Sequence, residues 1–430
     1  MKICFVQPDT DYQIKKNRHA LALTFPQLIS DLEIEQTDYC VYVAGKSTCA
    51  FDIFLVSQGV THVFITAITS TFPYAIEFAR IAQEKKCITV LGGLFASINY
   101  NVITHHYNCF DYIIAGKPNS DILIEVQQKP SVSKSIVSLG YSNYKKELGR
   151  IITDQRFTEI YDKHDTVCYE LANGCLYNCS FCTMRKAFPN HSLQKRKIDI
   201  IQRDIARLAQ YWTKLKIIDD DISLSINCLK QLNFHGFQEV IAETRLDHIS
   251  EASMSIFQKV GITHLIVGVE SLDTAFLKNS NKTSAPSMWS DRMSNAITLC
   301  VKYNIIMRPV LMIVNPTMSI EHLKLYENEL ENWIPENNIE LLCSFYTPHP
   351  GMGTPAEYRG LLTYNLKYFD HLHCVWLPPH LGQKNCEIIS SIYNNVVNIT
   401  KSSEYNPPID FFFEDGEGFR CFFEMQGDIK

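Results

Sequence analysis

The sequence predicts an α/β protein with two sets of parallel strands and a small α+β region at the C-terminal end. Three observations support this fold class. The chain has 430 residues, of which 46% are hydrophobic, so it can bury a sizeable core. Short apolar runs alternate along it with helix-like segments, as is typical of parallel sheets. The alternation breaks once, near residue 126, and at about 100–200 residues per domain the length allows two or three domains.

Residues 1–125 carry the first set of strands. Between them lie helix-like stretches such as 73–83, where apolar residues alternate with charged ones. This order predicts an open parallel sheet with helices on both faces. Gly92 and Gly93 directly follow one strand, at the carboxyl edge where such sheets bind ligands, and a tight turn is the alternative interpretation. The predicted strands are Ile3–Val6, Tyr39–Val43, Val63–Ile65, Ile88–Leu91 and Tyr112–Ala115.

Residues 126–164 are more polar and less periodic, and we interpret them as a linker. From residue 165 the alternation resumes with longer helices. Six strand–helix repeats predict a partial or full barrel of parallel strands, or another open sheet. The strands are Thr166–Leu171, Leu215–Asp219, Val240–Glu243, His264–Val269, Ile306–Val314 and Leu341–Tyr346, and the helices include 198–208, Ile249–Lys259, Ser287–Tyr303 and Ile320–Trp333.

The C-terminal extension, 356–430, differs in character. Residues 411–423 contain two aromatic runs around Gly416 and Gly418. They predict a hairpin that packs on the main domain or lines the mouth of a substrate site.

Charge and hydropathy narrow the functional class. The net charge of −6, from 46 acidic and 40 basic residues, argues against a nucleic-acid surface as the dominant feature. The apolar run at the N-terminus is too short for a signal peptide. The longest apolar stretch, 305–314, is interrupted by Arg308 and Pro309 and falls far short of the roughly 20 residues that a bilayer requires. We therefore expect a cytoplasmic protein whose thiols stay reduced, where clustered cysteines more often bind metal.

Three of the fifteen cysteines form a C-x-x-x-C-x-x-C run: Cys175, Cys179 and Cys182. Three thiolates in one loop can converge on a soft metal centre, and iron–sulfur clusters usually take four. No fourth cysteine follows nearby, because Cys168 lies in the preceding strand and Cys228 is 46 residues on. Three ligands would leave one iron open to a non-protein group. A structural zinc with His191 as fourth ligand and a chance cluster of buried thiols are the alternatives.

The triplet resembles the signature of the radical SAM enzymes, which have an aromatic residue before the third cysteine, here Phe181. The resemblance implies a partial (β/α)6 TIM-type barrel and a [4Fe-4S] cluster whose open iron chelates S-adenosylmethionine. One electron, from a donor such as flavodoxin or ferredoxin, would cleave the sulfonium to a 5′-deoxyadenosyl radical. The substrate would be a small molecule or a peptide.

Further segments match, in order, the branch of this family that carries an N-terminal cobalamin-binding-type domain, over most of residues 1–380. One segment departs: a glycine and a glutamate expected after the fifth strand are missing from 314–319. The matching segments are Asp219-Asp220-Asp221, Thr244-Arg245-Leu246-Asp247, Gly268-Val269-Glu270-Ser271, Asn281-Lys282 and the loop 346–355.

The resemblance also implies contacts with the cofactor. Glu270 and Ser271 would meet the ribose of S-adenosylmethionine, Arg245 its carboxylate, and the aspartates 219–221 its amino group. Two alternatives come from the residues themselves. Arg245 could pair with Asp247, and the aspartate run could cap the following helix.

The first 125 residues resemble the Rossmann-like cobalamin-binding domain of this branch. By that resemblance, Ser70, Thr71, Gly92 and Gly93 would approach the corrinoid. No histidine motif marks a lower axial ligand, and Lys117 stands where a glutamate is usual. A scaffold that packs on the barrel or binds substrate is the alternative to a cobalamin domain.

These features predict four segments: a cobalamin-binding-like domain 1–125, a linker 126–164, a radical SAM partial barrel 165–355 and the extension 356–430. We expect cobalamin-dependent methylation of an unactivated carbon, a methyltransferase reaction. The alternatives are a cobalamin-independent rearrangement, cyclisation or epimerisation, and a non-catalytic iron–sulfur regulatory protein. The other twelve cysteines, Cys343, Cys374, Cys386 and Cys421 among them, are interpreted as unpaired thiols, and His371 and His373 as structural.

Overall fold

The computed structural model describes residues 1–10, 20–34, 38–139, 144–188, 193–333, 339–370, 373–399 and 419–424. It confirms an α/β fold built on two parallel sheets. Within the described residues, no helix is both long and apolar enough to cross a bilayer.

The first sheet has six parallel strands in the order β3-β1-β4-β5-β6-β7. Strand order reverses between β1 and β4, and ligands of such sheets bind outside the carboxyl ends of the strands, at a reversal of this kind. The five strands predicted for this sheet are all present. The strands of the N-terminal part are β1 Ile3–Gln7, β2 Ala20–Leu21, β3 Tyr39–Val43, β4 His62–Thr66, β5 Ile88–Gly92, β6 Tyr112–Lys117 and β7 Lys134–Leu139.

Strand β7 lies inside the segment that we interpreted as a linker, so that part of the interpretation is wrong. It pairs in parallel with β6 along its whole length. The sequence of β7 does not read as a strand, because it contains serines and an exposed Val137. An edge strand pairs with one neighbour and packs through one face, so it does not need a continuous apolar sequence. Gly116 accommodates this pairing: its φ is +92°, and a Cβ there would lie 2.2 Å from the Ser138 carbonyl oxygen.

The second sheet has seven parallel strands in the order β15-β14-β13-β12-β11-β8-β2. Within the described residues its end strands, β15 and β2, do not pair with each other, so the sheet is not a closed barrel. The seventh strand, β2, comes from the N-terminal part of the chain, where Ala20 and Leu21 pair with Thr166 and Val167. The strands here are β8 Thr166–Tyr169, a small antiparallel pair β9 Ala172–Asn173 and β10 Gln194–Lys195, β11 Lys214–Ile217, β12 Glu239–Arg245, β13 His264–Glu270, β14 Ile306–Met312 and β15 Leu342–Ser344.

Helices connect the strands in both sheets, and the predicted helices agree with the structure to within two residues at each end. The helices of the first part are α1 Thr24–Asp31, α2 Phe51–Gln58, α3 Phe72–Glu84, α4 Leu94–His106, α5 Asp121–Glu125, α6 Gly149–Ile152 and α7 Gln155–Thr158. Those that follow are α8 Thr183–Ala187, α9 Ile198–Leu208, α10 Ile226–Leu229, α11 Glu251–Val260, α12 Thr274–Asn279, α13 Trp289–Lys302, α14 Ile320–Trp333, α15 Pro355–Tyr358, α16 Cys386–Ile399 and α17 Cys421–Glu424.

The C-terminal tail differs from its prediction. Residues 411–418 of the predicted hairpin lie outside the described residues, and its second strand is instead the helical turn α17. Phe422 packs against Phe72, Phe95 and Tyr107 of the first domain, at ring-centroid distances of 5.6, 5.1 and 5.7 Å. The aromatic run therefore forms a packing contact with the first domain, which a helical turn provides as well as a strand.

Candidate cluster loop and cofactor cavity

The cysteine triplet lies in a loop at the carboxyl edge of the second sheet, between β9 and α8. Gly174, with φ +109°, begins the loop. Cys175, Cys179 and Cys182 are all half-buried. The carboxyl ends of barrel strands are where such folds place their reactive groups.

N–H groups favour the thiolate form of each cysteine in the triplet, and one of them, on Arg245, donates a hydrogen bond to a sulfur. Burial raises the pKa of the Cys175 thiol, and the backbone N–H of Tyr177 opposes this by stabilising the thiolate. Burial likewise raises the pKa of Cys182, the residue at the N-cap position of α8, and the nearby backbone N–H groups of Met184 and Arg185 oppose this shift. At Cys179 the donor is Arg245, whose Nη1 forms a hydrogen bond to the sulfur at 3.6 Å. Such donors favour thiolate ligands.

The donor set fits a four-iron cluster. Within the described ranges, no three His, Cys, Asp or Glu side chains are placed to hold one metal ion together. A cluster ligates each thiolate through a different iron, so its ligands need not converge on a point. His191, the alternative fourth ligand for zinc, lies outside the described residues.

The Arg245 guanidinium contacts several protein groups at once. It forms two 2.9 Å hydrogen bonds with the carboxylate of Asp247, the pairing that the sequence left open. It also donates to the Lys282 carbonyl, and its guanidinium carbon lies 3.8 Å from the ring centroid of Tyr177. Only 7% of its side chain is exposed.

The three aspartates have different surroundings, and for two of them both carboxylate oxygens accept hydrogen bonds from protein groups. Asp219 accepts from the backbone N–H groups of Leu171 and Ala172 and from the Ser225 hydroxyl, while burial raises its pKa to about 7. Asp221 caps the 3-10 turn Ile222–Ser225. Burial alone would raise the pKa of Asp221, but hydrogen bonds from His248 and Ser223 lower it overall.

Asp220 is the exception. Its Oδ2 atom is buried without a hydrogen-bond partner. Burial, together with the charges of Glu170 and Glu243, raises its pKa to about 6. A buried polar atom with no protein partner is where a ligand donor is best accommodated.

Glu270 and Ser271 end β13. Glu270 has φ +67° and pairs with Lys282 at 2.8 Å. Gly268 makes room for this pair, because a Cβ there would lie 2.7 Å from Glu270 Oε1 and 2.8 Å from Lys282 Nζ. Ser271 is fully buried, and its hydroxyl forms a 2.6 Å hydrogen bond with the hydroxyl of Tyr326. Asn315, within the segment that departs from the family pattern, donates to the same hydroxyl at 3.1 Å.

Phe181 stacks on Phe276 of α12, with centroids 5.9 Å apart and planes inclined by 21°. The adjacent Ser180 donates its backbone N–H to Ser280 at the end of α12. The aromatic residue before the third cysteine thus fixes the loop against this helix.

A cavity of about 440 Å³ lies between the carboxyl edges of the two sheets. Gly92 lines it, and a Cβ added there would meet no atom within 4 Å. Gly93 also lines it, but with φ +96° and a would-be Cβ 2.7 Å from the backbone of Ala67, it is required by the local packing. Across the cavity lie residues of the second domain: Glu170, Asn173, Met184, Phe188, Ile218 and Asp220.

Ser70 and Thr71 do not line this cavity. They precede α3, where the Ile68 N–H donates to the Thr71 hydroxyl at 3.0 Å, and the Ser70 hydroxyl is buried without a partner. Lys117, in contrast, lines the cavity. Its Nζ atom donates a 2.5 Å hydrogen bond to Oδ1 of Asn173, on β9 at the opposite wall.

Two site residues escaped the sequence analysis. Tyr177 lies within the triplet, and its hydroxyl forms a 2.5 Å hydrogen bond with His248 Nε2. His248 immediately follows the matched 244–247 segment, yet no spacing rule marked it. His373, predicted to be structural, pairs with Asp370 at 2.9 Å, and His371 lies outside the described residues.

The sequence matches no protein-family model and no curated protein. The structure superposes on TsrM, a radical S-adenosylmethionine methyltransferase from Kitasatospora setae, solved with tryptophan and a S-adenosylmethionine analogue (TM-score 0.67, 13% identity). That superposition covers 96% of this chain and 91% of TsrM. TsrM solved with cobalamin and a [4Fe-4S] cluster gives a TM-score of 0.64 at the same identity and coverage.

OxsB, a cobalamin-dependent S-adenosylmethionine radical enzyme solved with aqua-cobalamin and S-adenosylmethionine, gives a TM-score of 0.58 at 13% identity. The superposition covers 95% of this chain and 58% of OxsB, so the chain spans little more than half of that enzyme. These similarities establish the fold, which this chain shares with TsrM and OxsB, and they confirm the predicted fold class.

Proposed function

We propose that this protein is a radical SAM enzyme. The observation that carries the proposal is the cysteine triplet in a loop at the carboxyl edge of the second sheet, with the Arg245 guanidinium 3.6 Å from the Cys179 sulfur. Cys175, Cys179 and Cys182 would hold a [4Fe-4S] cluster. When bound, this cluster supplies the one-electron cleavage of S-adenosylmethionine to a 5′-deoxyadenosyl radical.

The strand-end residues have distinct proposed roles toward S-adenosylmethionine. Asp220, with its unpartnered oxygen, accepts from the amino group. Glu270, held by Lys282, orients the ribose. The other strand-end residues already form hydrogen bonds with protein groups, so we assign them a positioning role: they hold the strand ends in place. These residues are Ser271, Asp219 and Asp221.

Anaerobic reconstitution of the full chain with iron and sulfide tests this class. We expect a four-iron EPR signal and, with strong reductant and S-adenosylmethionine, the formation of 5′-deoxyadenosine. A well-folded, reconstituted protein that does not cleave S-adenosylmethionine would leave only the non-catalytic iron–sulfur function.

We further propose that the cavity binds cobalamin, which as a methyl carrier would direct the reaction to methylation of an unactivated carbon. The cavity lies at the carboxyl edge of the first sheet, and Gly92 leaves open space there. TsrM and OxsB, which share the fold, were both solved with cobalamin bound. Lys117 at the usual glutamate position favours the second candidate, a cobalamin-independent rearrangement, cyclisation or epimerisation.

Replacing Gly92 by leucine is expected to remove corrinoid binding without unfolding the protein. The added side chain enters the cavity, and the backbone φ at Gly92 is not in the left-handed region, so it tolerates a side chain. The measurement is corrinoid absorbance after expression with hydroxocobalamin, together with the thermal midpoint. Gly92→Ala is the matched control and should retain most of the corrinoid.

Two outcomes would contradict the cobalamin proposal. Wild-type protein that repeatedly purifies without corrinoid would favour the cobalamin-independent reaction. Full corrinoid occupancy in Gly92→Leu would place any corrinoid outside this cavity.

The remaining parts of the proposal concern partners. A low-potential donor such as flavodoxin or ferredoxin would supply the electron, and the substrate would be a small molecule or a peptide. A reducing, cytoplasmic environment suits both the donor and the open cluster.

A further inference from the structure

We propose that Arg245 sets the reduction potential of the cluster through Cys179, and that Tyr177 and His248 are positioning residues that hold it there. This inference rests on the proposed function, because it concerns the cluster that the triplet would bind. It gives Arg245 a different task from the carboxylate contact that the family resemblance implied.

The guanidinium is fixed in one orientation. The carboxylate of Asp247 takes Nε and Nη2, leaving Nη1 directed at the Cys179 sulfur at 3.6 Å. The Lys282 carbonyl accepts a further hydrogen bond from Nη2. With these partners and its low exposure, the group has little freedom to turn toward another anion.

A second set of contacts supports the guanidinium from its flat face. The ring of Tyr177 packs against its flat face, and the Tyr177 hydroxyl forms a 2.5 Å hydrogen bond with His248 Nε2. His248 Nδ1 in turn donates to the Asp221 carboxylate at 2.7 Å, because a carboxylate oxygen can only accept. Asp221 also accepts from Thr244 at 3.0 Å, the residue before Arg245 on β12. The chain of contacts thus starts and ends at the same strand.

The electrostatic consequence follows from charge. When the donor protein passes one electron to the cluster, the donor is oxidised, the cluster gains one negative charge and no bond forms or breaks. A cation bonded to a ligand sulfur stabilises the reduced state more than the oxidised state, and hydrogen bonds to the sulfurs are one of the factors that set cluster potentials. Burial protects this interaction from screening by salt. Arg245 should therefore ease electron entry.

Arg245→Gln tests the inference by an EPR-monitored redox titration of the reconstituted full chain. We expect the equilibrium constant for reduction of the cluster to fall about tenfold, equivalent to a potential lower by about 59 mV for a one-electron couple. Arg245→Lys, which retains the charge without the planar fork, should fall between wild type and Arg245→Gln. His248→Asn should shift the potential in the same direction by less.

Arg292→Gln is the matched control. Arg292 Nη1 lies 3.9 Å from the same Asp247 carboxylate, whereas the hydrogen bond to Cys179 comes from Arg245. Its removal tests whether any nearby positive charge has the same effect, and we expect it to leave the potential close to that of wild type.

The outcomes separate this inference from the proposed function. A wild-type protein that binds no cluster overturns both. A normal cluster whose potential is unchanged in Arg245→Gln, or shifts equally in Arg292→Gln, overturns the role of Arg245 alone. If Arg245→Gln assembles no cluster, Arg245→Lys and His248→Asn decide, and wild-type potentials in both would contradict the inference.

Discussion

Replacing Cys175 by alanine is expected to eliminate both the four-iron EPR signal and the formation of 5′-deoxyadenosine, down to background. The triplet has no spare thiolate in its loop, so a lost ligand leaves two sulfurs for a cluster that already has an open iron. The fold should survive, because Cys175 is only half-buried and its side chain contributes little to the core. Iron and sulfide content, EPR and product analysis measure the effect.

Cys228→Ala is the control for this experiment. Cys228 is also half-buried and lies on α10, outside the loop. It should retain cluster and product at wild-type levels. Equal loss of iron in both variants would mean that the triplet does not hold the cluster alone.

The second large effect is expected on stability. Lys282→Met should reduce the free energy of unfolding by about 3–5 kcal/mol, because it leaves the Glu270 carboxylate buried without its partner. The exposed fractions of the two side chains, 5% for Lys282 and 15% for Glu270, place the pair away from solvent. Urea denaturation of the full chain measures the change.

A double-mutant cycle separates the pair from its surroundings. Adding Glu270→Gln to Lys282→Met removes the uncompensated charge, so the double variant should recover much of the loss. Lys302→Met, which breaks an exposed ion pair with Glu251, serves as a surface control and should have a far smaller effect. Strictly additive losses in the cycle would show that the two residues do not stabilise each other.

The first sheet could be predicted from the sequence because β1, β3 and β4 are buried on both faces and read as nearly continuous apolar runs. In the second sheet, β11 and β13 instead alternate buried and partly exposed residues, which is the period of a strand with one buried face. Strand β7 was missed because it is an edge strand with a polar, serine-rich sequence. Strand β2 was missed because two residues carry no periodicity, and only its pairing with β8 defines it. The helical turn of the tail depends on aromatic rings from another domain, which no local pattern reveals.

The candidate site was predictable to the level of its motifs. The triplet and the strand-end segments were found because their spacing is local. The differing surroundings of Asp219, Asp220 and Asp221 were not, since they depend on which backbone N–H groups reach each carboxylate. His248 was invisible for the same reason: its importance comes from Tyr177, 71 residues earlier in the chain.

The pairing of β2 with β8 has a topological consequence. The polypeptide leaves the first sheet after β1, contributes an edge to the second sheet, and returns to form β3. The two sheets are therefore not built from separate, consecutive parts of the chain, and no single cleavage of the polypeptide would separate them. A fragment starting at residue 165 would bare the edge of β8 and risk association through it.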